Sequence, residues 1–287
     1  MQNTDRRYIL TLSCPDVRGI VASVAGFITE QRGFIIESAQ FGDPSTNRFF
    51  LRMDFACDAQ TPPEDVLKKR FHDNVASRFG MHWQLHDKHR RPRVLVMVSR
   101  LSHCLNDLLH RWSAGTLPVD IPAVVSNHED LRRLVEWHQI PYYCFPMGKD
   151  KAAQERQVVD VIDRHDVDVV VLARYMQILS GEMCAKLAER AINIHHSFLP
   201  SFKGARPYQQ AYDRGVKIIG ATAHYVTTDL DEGPIIEQEV ARVDHTHMPE
   251  ELEAVGRDIE CGVLARALRR HIEHRVLLNG QKTVVFK

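Results

Sequence analysis

From residue 93 onward the chain alternates short apolar runs with stretches at helical spacing. The runs "RVLVMVS", "DIPAVVSN", "PYYCF" and "VDVVVLA" are separated by helical stretches at about 101–113, 128–138 and 151–165. Strands that are apolar along their whole length need cover on both faces, and strands joined through helices run parallel. The pattern therefore predicts a doubly wound, mostly parallel α/β sheet. After "AINIHH" the rhythm changes: "VKIIGATAHYV" and "GPIIEQEVARV" read as a hairpin across the "TTDLDEG" loop. A long helix starts at Pro249, with Glu250 and Glu251 in its first turn, and "RVLLNGQKTVVFK" closes on a hairpin marked by Asn279-Gly280.

The first part of the chain has a different order. "RYILTLS" has strand composition, and apolar residues at 20, 21, 24, 27 and 28 give a helix with Gly33 as its stop. "FIIESAQFGD" and "RFFLRMDFAC" form two strands across "PSTN"; a helix at roughly 63 to 79 and the strand "MHWQLH" follow. This β-α-β-β-α-β order is the ferredoxin-like split βαβ pattern. The charged, proline-bearing "DKHRRPR" reads as a linker, so the expected domains are residues 1–86 and 93–287, with 87–92 between them.

Composition excludes several classes of function. Lys+Arg and Asp+Glu both number 37 in the 287 residues, so no global field draws the chain to nucleic acid or an anionic membrane. The 6 cysteines have no CxxC pair or repeated spacing, which fits reduced thiols in the cytoplasm better than disulfides or a zinc site. "VASVAGFI" is too short to span a bilayer, and Pro15, Asp16 and Arg18 interrupt the apolar part of the N-terminus.

One strand end carries chemistry. In "INIHHSFLPSFKG", strand alternation puts Asn193 and His195 on one face and Ile194 on the other. The pair stands where an open α/β sheet binds its ligands, beyond the carboxyl ends of the strands. The "TTDLDEG" loop adds Asp229, Asp231 and Glu232. An amide donor, a histidine and a carboxylate together suit acyl chemistry: Asn stabilises an oxyanion, His moves protons, and Asp fixes the imidazole tautomer. No G-x-S-x-G elbow occurs, so a covalent acyl-enzyme is not indicated. His245 and His247 in "DHTHMPEE" lack further metal ligands at a recognisable spacing; a polar helix-entry loop is the better account, and no metal is expected.

"NIHHSFLPSFKG" followed by "GATAHYVTTDLDEGPII" resembles the folate-dependent formyltransferase-fold family over about residues 92 to 280. The resemblance implies that Asn193, His195 and Asp231 are the catalytic set, and it matches the family's T-x-H strand to Thr222 and His224. It also implies that Met176, Gln177 and Leu179 of "RYMQIL" line a pteridine pocket, with Thr227 and His196 as further substrate contacts. The loop after the first strand has Arg100, Leu101 and Ser102 where a phosphate cradle would need glycines. His196 replaces the family's usual proline.

The N-terminal module is similar to an ACT domain. That implies a regulatory amino acid, glycine or methionine, held near Asp16, Arg18 and Gly19, and a homo-oligomer, a dimer or a tetramer. The combination resembles the hydrolytic branch of the family, in which water replaces the amine acceptor. The expected reaction is hydrolysis of 10-formyltetrahydrofolate to formate and tetrahydrofolate without a cofactor, supplying formate to purine biosynthesis and balancing folate pools. Two alternatives stay open: formyl transfer to an amine acceptor, and a non-catalytic amino-acid or folate sensor.

Overall fold

The computed structural model describes residues 6–148, 150–199 and 207–287, so the "PSFKGAR" stretch lies outside the described residues. The chain divides into two compact units, residues 1–90 with 270–287, and residues 91–269.

The first unit contains β1 (Arg7–Pro15), α1 (Ile20–Glu30), β2 (Gly33–Asp43), β3 (Arg48–Cys57), α2 (Glu64–Phe71), α3 (Ser77–Phe79) and β4 (His82–Asp87). A single π-helical turn, His72–Ala76, joins α2 to α3, so the helical stretch predicted at 63 to 79 is present but irregular at its centre. The strands pair antiparallel in the order β2-β3-β1-β4, the ferredoxin-like arrangement. Leu10, Leu12, Val24, Phe27, Leu51, Met53, Phe55 and Phe71 form the core on the helical face. Gly33 is not the left-handed stop of α1. That conformation falls on Arg32 (φ 66), and Gly33 is instead required where a Cβ would press on the side chain and carbonyl of Ile28.

The second unit contains β5 (Arg93–Val98), α4 (His103–Ser113), β6 (Asp120–Ser126), α5 (Arg132–Trp137), β7 (Tyr142–Cys144), α6 (Lys151–Arg164), β8 (Val169–Leu172), α7 (Gly181–Lys186), β9 (Ala191–His195), α8 (Pro207–Asp213), β10 (Ile218–Tyr225) and β11 (Ile235–Arg242). α9 (Pro249–Ile272) follows. The seven-stranded sheet has the order β11-β10-β9-β8-β5-β6-β7. β5 to β9 are parallel, and β10 and β11 form the antiparallel hairpin that the sequence predicts. The strand order reverses between β5 and β8, the kind of switch point where such sheets open a crevice.

The last pair, β12 (Val276–Asn279) and β13 (Lys282–Val285), closes across Gly280 (φ 62) as expected for an Asn-Gly signal. It belongs to the first unit, however, and not to the catalytic domain as the division at 93–287 supposes. The reason is electrostatic. Arg52 of β3 is 1% exposed; it donates to the Glu273 carbonyl (3.1 Å) and pairs with Glu37 (3.1 Å). Arg275 pairs with the same Glu37 (2.9 Å), and Asn279 Nδ2 donates to Asp43 (2.6 Å). The returning segment thus supplies partners for polar groups on the sheet face that carries Arg52. Nor is 87–92 wholly a linker: Lys88 Nζ reaches the buried Asp54 at 2.6 Å.

Candidate active site

Three segments of the second unit enclose a cavity of about 250 Å3: residues 174–179 after β8, residues 193–196 at the end of β9, and residues 224–231 leading out of β10. Ser99, just past β5, holds the first of them. Its hydroxyl accepts from the Met176 N–H (3.0 Å) and donates to Asn127 Oδ1 (2.7 Å), tying the ends of β5, β6 and β8 together. Thr222 of β10 holds the segment after β9. It donates to the Ser197 carbonyl (3.0 Å) and accepts from the Leu199 N–H (3.1 Å) and from Gln238 Nε2 (3.0 Å).

On β9, Asn193 and His195 share a face, and the antiparallel register sets Asn193 opposite His224 and His195 opposite Thr222. His195 is 5% exposed, and its Nδ1 lies 3.2 Å from Asp231 Oδ2. A carboxylate only accepts, so the proton sits on Nδ1, and Nε2 carries a lone pair that is buried and has no hydrogen-bond partner among the described residues. His224 Nδ1 donates to the Tyr225 carbonyl (2.9 Å). In the neutral ring His224 Nε2 then accepts from Asn193 Nδ2 (3.3 Å), which orients the amide. The same nitrogen lies 3.6 Å from Asp231 Oδ1. Burial works to raise the Asp231 carboxyl, but the neighbouring imidazoles of His195 and His224 outweigh it and hold it well below the usual carboxylate range.

Two backbone features put Asp231 there. Its φ of 56 is left-handed, a conformation Asp tolerates better than most residues. Two residues on, Gly233 packs its α-carbon on the Tyr225 carbonyl, where a Cβ would overlap the oxygen. This is the carbonyl that fixes His224.

The sequence-predicted residues Met176, Gln177, Leu179, Asn193, His195, His196, Thr227 and Asp231 all line this one cavity. Thr227 donates its hydroxyl to the Asp229 carbonyl (3.0 Å), so it shapes the loop. His196 stacks on His195 with ring centres 4.9 Å apart. Burial, and then Arg174 and His195, push its pKa down to about 4, so the ring is neutral near pH 7. Asp16, Arg18 and Gly19 gather in the exposed turn before α1 in the first unit, where Gly19 (φ 94) precedes the helix and no side chain caps it.

Sequence reading missed Arg174 and Glu260. Arg174 opens the "RYMQIL" run, and Glu260 is a carboxylate among the apolar positions of α9; the second oddity was a usable signal. Glu260 is 1% exposed, accepts from His103 Nε2 (2.7 Å) and from the Tyr208 hydroxyl (2.8 Å), and lies 3.5 Å from Arg174 Nε. The ligand atoms of His103, Cys104 and Glu260 fall within 4.8 Å of one another, but the guanidinium beside Glu260 puts a positive charge where a metal would sit. In the loop of His245 and His247, Asp244 accepts from the Thr246 N–H (2.9 Å) and lies 3.1 Å from His247 Nδ1, a polar turn before α9. All six cysteines are free thiols, and no described helix is long and apolar enough to cross a membrane.

Residues 92–268 match the formyl transferase family. The chain is 50% identical over 282 residues to formyltetrahydrofolate deformylase of Corynebacterium sp. (strain P-1), covering 98% of each chain. It superposes with a TM-score of 0.93 on the crystal structure of formyltetrahydrofolate deformylase from Burkholderia mallei ATCC 23344, at 54% identity, covering 98% of this chain and 100% of that one. Glycinamide ribonucleotide transformylase 1 from Symbiobacterium toebii matches less: 28% identity and a TM-score of 0.65, covering 69% of this chain and 95% of that one.

Proposed function

The chain belongs to the formyltetrahydrofolate deformylase family, and on that premise we propose that Asn193, His195 and Asp231 hydrolyse 10-formyltetrahydrofolate to formate and tetrahydrofolate. The observation that supports this most directly is His195 Nε2, a buried lone pair with no partner among the described residues, on a ring whose other nitrogen is bound by Asp231. Nε2 takes a proton from water as the water oxygen bonds to the formyl carbon. The Asn193 amide, oriented by His224, offers its second Nδ2 hydrogen to the oxyanion. Asp231 stabilises the imidazolium, which then protonates the departing nitrogen as the C–N bond breaks. Water, three side chains and substrate balance the reaction, so no cofactor or metal enters it. Met176, Gln177, Leu179, His196 and Thr227 are the substrate-contacting residues in this reading, since they line the same cavity.

Formate release from 10-formyltetrahydrofolate by the purified protein with no amine present is the test. Strict dependence on an added amine acceptor would establish formyl transfer instead.

A glycine or methionine effector at Asp16, Arg18 and Gly19 is supported by the uncapped, exposed start of α1. Calorimetric titration with both amino acids checks it, and Asp16→Asn should weaken the one that binds; no heat with either rules it out. A homo-oligomer is supported by β2, an edge strand that exposes Phe34 and Ile36.

A further inference from the structure

Two polar atoms in the cavity have no role in the mechanism above. Arg174 Nε and His196 Nε2 are both buried, and both lack a hydrogen-bond partner among the described residues. Buried polar groups are nearly always satisfied, so two orphans lining one cavity point to something that binds between protein groups there. Arg174 is held in place by its backbone and its counter-charge. It has a left-handed backbone (φ 63), its side chain is only 10% exposed, and its counter-charge Glu260 is 3.5 Å away. At 3.5 Å Glu260 is an ion-pair partner of Arg174 Nε but makes no hydrogen bond to it, while it accepts from His103 and from Tyr208. Burial works to raise the Glu260 carboxyl, but these two hydrogen bonds and Arg174 hold it below the usual range. The result is a braced guanidinium with an unused N–H, near a neutral imidazole, in the pocket where His195 works. A guanidinium N–H matches a carboxylate oxygen.

We propose that Arg174, braced by Glu260, and His196 form a subsite that receives the small carboxylate released by the reaction, formate, as it leaves His195 and Asn193. This rests on the hydrolase reading and deepens it. One oxygen of formate accepts from Arg174 Nε–H and the other from His196 Nε2–H. The product anion then has a binding site apart from the oxyanion donor, which leaves the His195 imidazole and the Asn193 amide clear for the next water.

The test is titration of 13C-formate into the full-length protein without folate, read by NMR line broadening, alongside formate inhibition of turnover. Chloride at equal ionic strength controls for screening. Wild type should bind formate saturably and chloride should not compete at matched concentration. Arg174→Gln should weaken formate binding and inhibition roughly tenfold or more, the loss of one charge-assisted hydrogen bond, with KM for the folate changed far less. Arg174→Lys, which keeps the charge, should restore part of the affinity. Because Arg174→Gln leaves Glu260 unbalanced, the Arg174→Gln/Glu260→Gln pair serves the same measurement if the single variant does not fold. No saturable formate binding by wild type, or a folded variant that binds formate as wild type does, overturns the proposal. Failure of the hydrolase reading looks different: wild type would release no formate from 10-formyltetrahydrofolate, whatever the titration shows.

Discussion

At the residue scale, the site rests on which nitrogen of each histidine has a partner. His195 gives Nδ1 to Asp231 and keeps Nε2 for chemistry, whereas His224 gives Nδ1 to a backbone carbonyl and uses Nε2 to aim Asn193. Asn193→Ala should lower kcat by on the order of 10²–10³, as loss of an oxyanion donor does. His195→Ala and Asp231→Ala should each cost on the order of 10²–10⁴, the range of general acid–base catalysis, with circular dichroism unchanged. A folded His195→Ala enzyme turning over at the wild-type rate would remove His195 from the mechanism. Gly233→Ala tests the backbone side of the argument. The new Cβ must displace the Tyr225 carbonyl, freeing His224 and so disordering the Asn193 amide. Its kcat should fall at least about tenfold although residue 233 touches no reacting atom, a drop that 1.4 kcal/mol of lost transition-state stabilisation would produce. Retained activity would mean that the His224 tautomer does not matter. Asn193 and His195 were legible in the sequence because strand alternation is a local rule. Arg174 was not, since its meaning comes from Glu260, far along the chain.

At the element scale, β2 is an edge strand, paired with β3 on one side and with no strand of its own sheet on the other. It runs eleven residues along the edge and exposes Phe34 (72%) and Ile36 (45%). Long apolar edges promote pairing with another chain, and lysine on an edge is a common block. Phe34→Lys with Ile36→Lys should lower the oligomer size measured by analytical ultracentrifugation, with the unfolding temperature of the monomer little changed. An unaltered assembly size would place the contact elsewhere. The β10–β11 hairpin illustrates the opposite case. Its existence was readable from its two apolar runs, but the reach of Asp231 back to β9 depends on the left-handed backbone there and on Gly233, and neither has a pattern that marks it in advance.

At the scale of the whole molecule, the first unit is built from both ends of the chain, and histidines mark the junction. His86 of β4 stacks on His274 with ring centres 3.5 Å apart. Burial, then the positive charges of Lys68, Arg52 and Arg90, lower His86 to about 4; burial, then His86, His271, Arg52 and Arg90, lower His274 to about 3; burial, then His86, lowers His271 to about 4. Folded pKa values below the ordinary 6.5 mean that the unfolded chain binds more protons as the pH drops. Stability is therefore fully present above about pH 6.5 and is lost progressively toward pH 4. Urea midpoints at pH 7.5, 5.5 and 4.5 should show this decline, and His86→Phe, which keeps an aromatic ring in the stack, should make it shallower. An identical pH slope in the variant would show that the stacked pair does not govern acid stability.

The sequence by itself determined the alternation of strands and helices, the split βαβ order, the two hairpins and the shared face of Asn193 and His195. Each follows from periodicity or turn chemistry within a few residues, where sterics and burial act locally. Tertiary structure alone decided the rest: that Arg52 of β3 finds Glu273, that Arg174 finds Glu260, and that residues 270–287 close the first unit and not the second. Those choices are made by buried charges in need of partners. Such a need fixes the chemistry of the partner but leaves no trace of its position along the chain.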